Sequence, residues 1–180
     1  VSGLPAGRQF RFVGFRAPLQ QEMRILVENC AGEVHLENLH AVEPGPFGPF
    51  GNSIQITNCA LVTMRDVENF GNPAVNINAS SVVLANCRLG ITALGLAGGP
   101  CLFASDSQVE ISEPFFQSGW SAVCIDLLRS HLRVGGTGNA RIAAGDPQFS
   151  SPGTPITATL GSVTVDPAVP LLPSPVTSPA

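Results

Sequence analysis

One short phrase recurs along this chain, in a form that cannot fold by itself. It reads I-L-V-E-N-C at Ile25 to Cys30, then V-H-L-E-N-L at Val34 to Leu39. It returns as I-Q-I-T-N-C at Ile54 to Cys59 and V-T-M-R-D-V at Val62 to Val67. Apolar and polar residues alternate over four to five positions, the pattern of a strand with one buried face. Two such strands have too little apolar surface to make a core. Copies of the phrase must therefore stack on one another, as in a solenoid.

The second half of the phrase is the more regular. It appears at Phe10 to Phe15, Val34 to Leu39, Val62 to Val67 and Val82 to Cys87, with weaker copies at Val109, Leu132 and Val163. The first half starts at Ile25, Ile54, Val75, Leu102, Val123 and Ile156. This predicts about six coils. The starts are unequally spaced, which rules out a tight helical repeat but suits a coil of two or three strands with a variable loop at one corner. Gly and Pro punctuate those loops, at Glu43 to Asn52, Glu68 to Pro73, Gly90 to Pro100 and Gln117 to Ala122. The opposite corner is short. Asn29, Asn58 and Asp106 recur there, and such residues tolerate the left-handed backbone of a sharp bend. Stacked at one strand spacing, about 4.8 Å, their side chains are placed to hydrogen-bond along the axis.

Three regions follow. Residues 1–24 form a first half-coil and cap, with Ala17 to Arg24 as a short helical cap or crossover; residues 25–166 form the stacked coils; residues 167–180 are a Pro-, Ser- and Thr-rich arm or linker. Within that arm, Leu171-Leu172 offers an alternative, docking on the last coil to cover its open end.

On these features, from Phe10 to Asp166, the chain resembles the right-handed parallel β-helix proteins of the pectin-lyase-like superfamily. The resemblance implies an all-β fold with short alternating strands, an Asn-bearing turn and variable loops at another corner. It also invites comparison with enzymes of that fold. Its lyases use clustered carboxylates with calcium and a basic residue; its hydrolases use paired Asp residues and carry N-T-D, D-D, G-H-G and R-I-K motifs. None of these motifs occurs here, the nearest fragment being R-I-A at Arg141 to Ala143. No catalytic residue is carried over.

Composition narrows the classes further. Only 12% of residues are charged, so the surface must be built from short polar side chains and backbone. All nine basic residues are Arg and they are scattered through a chain of net charge −4, which leaves no basic stripe for nucleic acid. No apolar run reaches the roughly 18–20 residues of a membrane span. The first residue is Val1, which reads as a mature product or an excised fragment. Five cysteines, Cys30, Cys59, Cys87, Cys101 and Cys124, leave at least one thiol unpaired, which speaks against an oxidising compartment; they read as small buried hydrophobes, with no zinc-ligand spacing.

Three groupings bear on function. Phe47 and Phe50 in one loop, Trp120 in another and Phe115-Phe116 just before it are candidates to stack on sugar rings or anchor a protein; packing over their own loops as small satellite clusters is the simpler reading. Asp126, Arg129 and His131, with Arg133, form a candidate polar site in which a carboxylate and an imidazole would do acid–base work; alternation points His131 and Arg133 outward, so a solvated face is the simpler reading. Asn38, Asp66, Asn86 and Glu113 fall at one repeat position, beside Glu37 and Glu68. Their oxygens are of a type that takes Ca²⁺, without a calcium-binding motif, and strand-ending bend residues are the simpler reading. His35 and His40 read as surface residues without partners.

The expectation is a non-catalytic β-helix module of a larger secreted or cell-surface protein, contacting a polysaccharide or protein partner through its loops. A polysaccharide lyase or glycoside hydrolase, or a fragment of one, is the alternative. A third is an oligomerising subunit like the phage tailspikes.

Overall fold

A computed structural model of the chain describes residues 1–17, 24–41, 53–71, 73–91, 100–118, 123–137, 140–146 and 151–173. They form an all-β parallel solenoid, with no helix among them. Each coil has three strands, so the stack has three faces.

The first face is a 6-stranded sheet of Arg24–Glu28, Ser53–Thr57, Val75–Asn78, Leu102–Ser105, Val123–Leu128 and Thr154–Thr159. The second face is built from Leu61–Arg65, Ser81–Ala85, Gln108–Ser112, His131–Gly135 and Ser162–Val165. The third is built from Glu68–Phe70, Arg88–Ile91, Phe115–Ser118, Arg141–Asp146 and Leu171–Pro173. Two longer strands, Gln9–Ala17 and Glu33–Ala41, run across both the second and third faces and join them into one 13-stranded sheet. The solenoid has about 4 turns, fewer than the six coils expected.

The third strand carries no local pattern that separates it from the loops. Glu68–Phe70 and Phe115–Ser118 are too short to show alternation, and each follows its predecessor after a single bend. The segments 42–52, 92–99 and 119–122, which fall in sequence between the third strand of one coil and the first strand of the next, lie outside the described residues. Ala17 and Arg24 belong to strands, and the crossover expected between them lies outside the described residues. Leu171–Pro173 pairs in parallel with Ile142–Ala144, so this part of the tail docks on the last coil.

Register is set by stacked apolar columns. Phe10, Val34, Val62, Val82, Val109, Leu132 and Val163 are successive partners on the second face, as the sequence indicates. On the first face, Leu102 pairs with Ile125 rather than Val123. A slip of two residues keeps every side chain on its own face, so alternation alone could not choose between them. The bend chooses: Asp106 and Arg129 stand at equivalent corner positions, both with left-handed φ of 51° and 49°.

Both tight corners follow from such residues. Asn29, Asn58, Ala79, Asp106, Arg129 and Leu160 occupy the first, and Asn38, Asp66, Asn86 and Glu113 the second, all at positive φ. Inside the first corner the next residues make a second ladder. Cys59 N–H donates to Ser80 Oγ at 2.9 Å, Ser80 N–H to Ser107 Oγ at 3.1 Å, and Ser107 N–H to Ser130 Oγ at 3.1 Å. Each of these serines donates its hydroxyl to the carbonyl two residues before it, so buried polar groups of adjacent coils satisfy one another. The ladder ends at Gly161, where a Cβ would collide with the Ser130 carbonyl.

The core is one continuous column of Val, Ile, Leu, Met and Cys side chains. Each fully buried Leu or Ile stabilises by about 1.5–3 kcal/mol. All five cysteines are buried thiols, matching their reading as small hydrophobes. Phe10 and Phe15 take inward positions on Gln9–Ala17, the outermost of the described strands at that end of the sheet, and stay 36% and 37% exposed.

Candidate functional site

The outer side of the second face carries a polar surface made by strand alternation. Inward residues Val82, Leu84, Val109, Ile111, Leu132 and Val134 are buried. The residues between them must point to solvent. They form two columns along the axis. Ser81, Gln108, His131 and Ser162 make one; Val83, Glu110, Arg133 and Thr164 make the other. Steps along a column are about 4.8 Å, and the columns stand about 7 Å apart. A shallow groove of about 370 Å³ lies along these residues.

The side chains of the groove are donors and acceptors with little to occupy them. His131 Nδ1 lies 2.7 Å from Ser162 Oγ, which fixes the ring against the last coil. Gln108, Glu110 and Arg133 have no side-chain hydrogen bond or ion pair among the described residues, although Glu110 and Arg133 are direct register partners. The groove thus presents a carboxylate, a guanidinium, a carboxamide, an imidazole and hydroxyls on a rigid grid. Among the described lining residues Glu110 is the one carboxylate.

The expected polar site does not assemble as one. Asp126 points out from the first face, where its Oδ1 accepts a 2.6 Å hydrogen bond from Thr157 Oγ1. Arg129 sits at the corner and forks onto Asp106, with Nε and Nη2 each 2.7 Å from a carboxylate oxygen. That pairing holds the Asp106 carboxyl below its ordinary range and raises Arg129, chiefly through the hydrogen bonds. Only His131, with Arg133, faces the groove. Three successive surfaces of a bent chain separate residues that lie close in sequence.

The aromatic candidates also divide. Phe116 is fully buried in the core. Its neighbour Phe115 is half-buried on the third face, with the Arg88 guanidinium 4.9 Å above its ring centroid. Phe115–Ser118 is a strand, so alternation turns one phenylalanine inward and leaves the other under an arginine. Phe47, Phe50 and Trp120 lie outside the described residues.

The recurring acidic position at the second corner is explained by the bend. Asn86 Nδ2 donates to Asp66 Oδ1 at 2.5 Å, and Glu113 accepts from Thr137 N–H and Oγ1 at 2.9 and 3.0 Å. Among the described residues no three His, Cys, Asp or Glu side chains cluster as metal ligands. His35 and His40, expected to be free, have partners one coil away: His35 Nδ1 lies 2.6 Å from Thr63 Oγ1, and His40 Nδ1 3.4 Å from Glu68 Oε2. In-register stacking supplies these partners across about a coil of sequence, out of sight of any local pattern. Glu37 is likewise held below its ordinary range by the hydrogen bond from Arg11.

Sequence reasoning misses Gln108, Glu110, Ser162 and Thr164. Their signal is nonetheless present: they hold the outward positions of the rungs on either side of His131 and Arg133. Comparison with known protein families, characterised proteins and solved structures found no match.

Proposed function

We propose that this chain is a non-catalytic β-helix binding module, of pectin-lyase-like kind, that contacts a polysaccharide along the outer side of its second face. The observation that supports this reading is the groove itself, where Gln108, Glu110 and Arg133 offer unpaired polar groups in fixed columns. A sugar chain presents closely spaced hydroxyls and, when acidic, carboxylates. Hydroxyls suit the amide, carboxylate and Ser/Thr groups, and a sugar carboxylate suits Arg133. A secreted or cell-surface setting goes with such a partner.

The alternative is a glycan-cleaving enzyme. Glycoside hydrolysis uses two carboxylates flanking the bond, and the described lining offers Glu110 alone, which favours binding. A reading as an oligomerising subunit draws on the apolar ends of the stack: Phe10, Val13 and Phe15 at one end, Val163, Leu171 and Leu172 at the other, all exposed. Light scattering that gives the monomer mass at high concentration removes it.

The binding reading is tested by calorimetric titration with galacturonan and xylan oligosaccharides, each against wild type and Arg133→Ala. Binding of either oligosaccharide that weakens at least tenfold in Arg133→Ala supports the reading. Undetectable binding of both, or binding indifferent to Arg133, removes it. Release of shorter sugars during the titration favours the enzyme.

A further inference from the structure

The five thiols are not equivalent, and two of them face one another. Leu102 pairs with Ile125 in parallel register, which makes Cys101 and Cys124 direct neighbours in adjacent coils of the first face. Both are fully buried, and Cys124 Sγ lies 3.5 Å from Cys101 Sγ. Neighbouring positions in a parallel ladder are about 4.8 Å apart, inside the Cα range of about 4.4–6.8 Å that a disulfide spans.

Cys30 and Cys59 are also neighbours in register and their side chains also meet, but each thiol donates to a backbone carbonyl of the corner. Cys30 Sγ donates to the Glu28 carbonyl at 3.3 Å and Cys59 Sγ to the Thr57 carbonyl at 3.2 Å. Those are the same bonds that Ser80, Ser107 and Ser130 make in the later coils. Cys30 and Cys59 thus belong to the corner ladder. The Cys87 thiol contacts the backbone carbonyls of Met64 and Ala85.

We propose that Cys101 and Cys124 form a redox-modification site, closing an intrachain disulfide that staples two adjacent coils. The oxidant is a small peroxide, whose size suits a buried pair. One thiolate attacks a peroxide oxygen, giving a sulfenic acid and releasing hydroxide, which takes up the thiol proton as water. The second thiol then displaces the sulfenic oxygen, the S–S bond forms, and a second water leaves. Two thiols lose two electrons and two protons, and one hydrogen peroxide becomes two waters. A dithiol such as dithiothreitol reverses the bond by thiol–disulfide exchange. The site sits where each first-face strand begins, so the staple fixes the entry of two coils.

The test is purified full chain treated with hydrogen peroxide, then alkylated, digested without reductant and mapped by mass spectrometry. The expected product is one intrachain cross-link joining Cys101 to Cys124, lighter by two hydrogens, lost on reduction, with Cys30, Cys59 and Cys87 recovered alkylated. The unfolding midpoint should rise on oxidation in wild type and stay fixed in Cys101→Ser and in Cys124→Ser. Recovery of Cys101 and Cys124 alkylated, a cross-link between two chains, or equal cross-linking of Cys30 to Cys59 overturns the proposal. The cross-link is read on the wild type, so the proposal stands or falls even where a variant fails to fold.

Discussion

Asn58 donates its side-chain amide to the side-chain oxygen of Asn29 at 2.9 Å, one coil away, and both residues hold left-handed backbones with φ of 52° and 53°. The same residue type bends the chain and ties the bend to its neighbour. Asn58→Ala removes the hydrogen bond and places a Cβ-bearing residue without polar compensation in the left-handed region. The expected loss is about 1–2 kcal/mol, read from urea unfolding. Asn58→Gly should recover the backbone share. Equal loss in both variants would show that the bend exacts no conformational cost.

The serine ladder makes a sharper demand because it is buried. In Ser107→Ala, the Ser80 N–H loses its acceptor, while the Ser105 carbonyl keeps the Ala79 N–H. Leaving such a donor unsatisfied costs about 1–3 kcal/mol. Ser107→Cys should lose less, since cysteine holds the equivalent place at Cys30 and Cys59 with the same bond to the carbonyl two residues back. Unchanged unfolding of Ser107→Ala would argue against the ladder.

These corners are largely legible in the sequence. Asn29, Asn58 and Asp106 repeat at one position, and alternation at Val34, Val62 and Val82 fixes a face and a register. Ala79, Arg129 and Leu160 share the same bend without sharing its chemistry, and only the stacking identifies them. The third strands are hidden because three or four residues cannot establish a period. The candidate site is hidden for a related reason. Its partners are one coil apart, so His131 meets Gln108 and Ser162 rather than Asp126, which the corner carries onto another face.

Phe116 shows the consequence for an aromatic residue. Burial in the core predicts that Phe116→Ala destabilises by about 3–5 kcal/mol. Phe115→Ala, at a half-buried position beneath Arg88, should cost clearly less. Thermal and chemical unfolding of the two variants decide it; the reverse order would place Phe115 inside and Phe116 on the surface.

The Asp106–Arg129 fork makes a pH prediction. Its folded carboxyl is depressed below the ordinary value of 3.8 by hydrogen bonds from Arg129 and then by the guanidinium charge. The fork's contribution is therefore complete above that ordinary value and is lost as pH falls through the lower, folded value. Carbon-detected NMR titration should put the Asp106 midpoint below 3.8 in wild type and move it back up in Arg129→Gln. An unmoved midpoint in the variant would mean the fork does not persist in solution.

The most direct test of the proposed role is a chemical-shift map of the backbone amides during titration with the oligosaccharide that binds. Shifts should concentrate at Gln108, Glu110, His131 and Arg133, along two adjacent rungs of the second face, and should disappear in Arg133→Ala. Shifts confined to the first face or to the corner around Asp106 and Arg129, with the second face silent, would contradict that role.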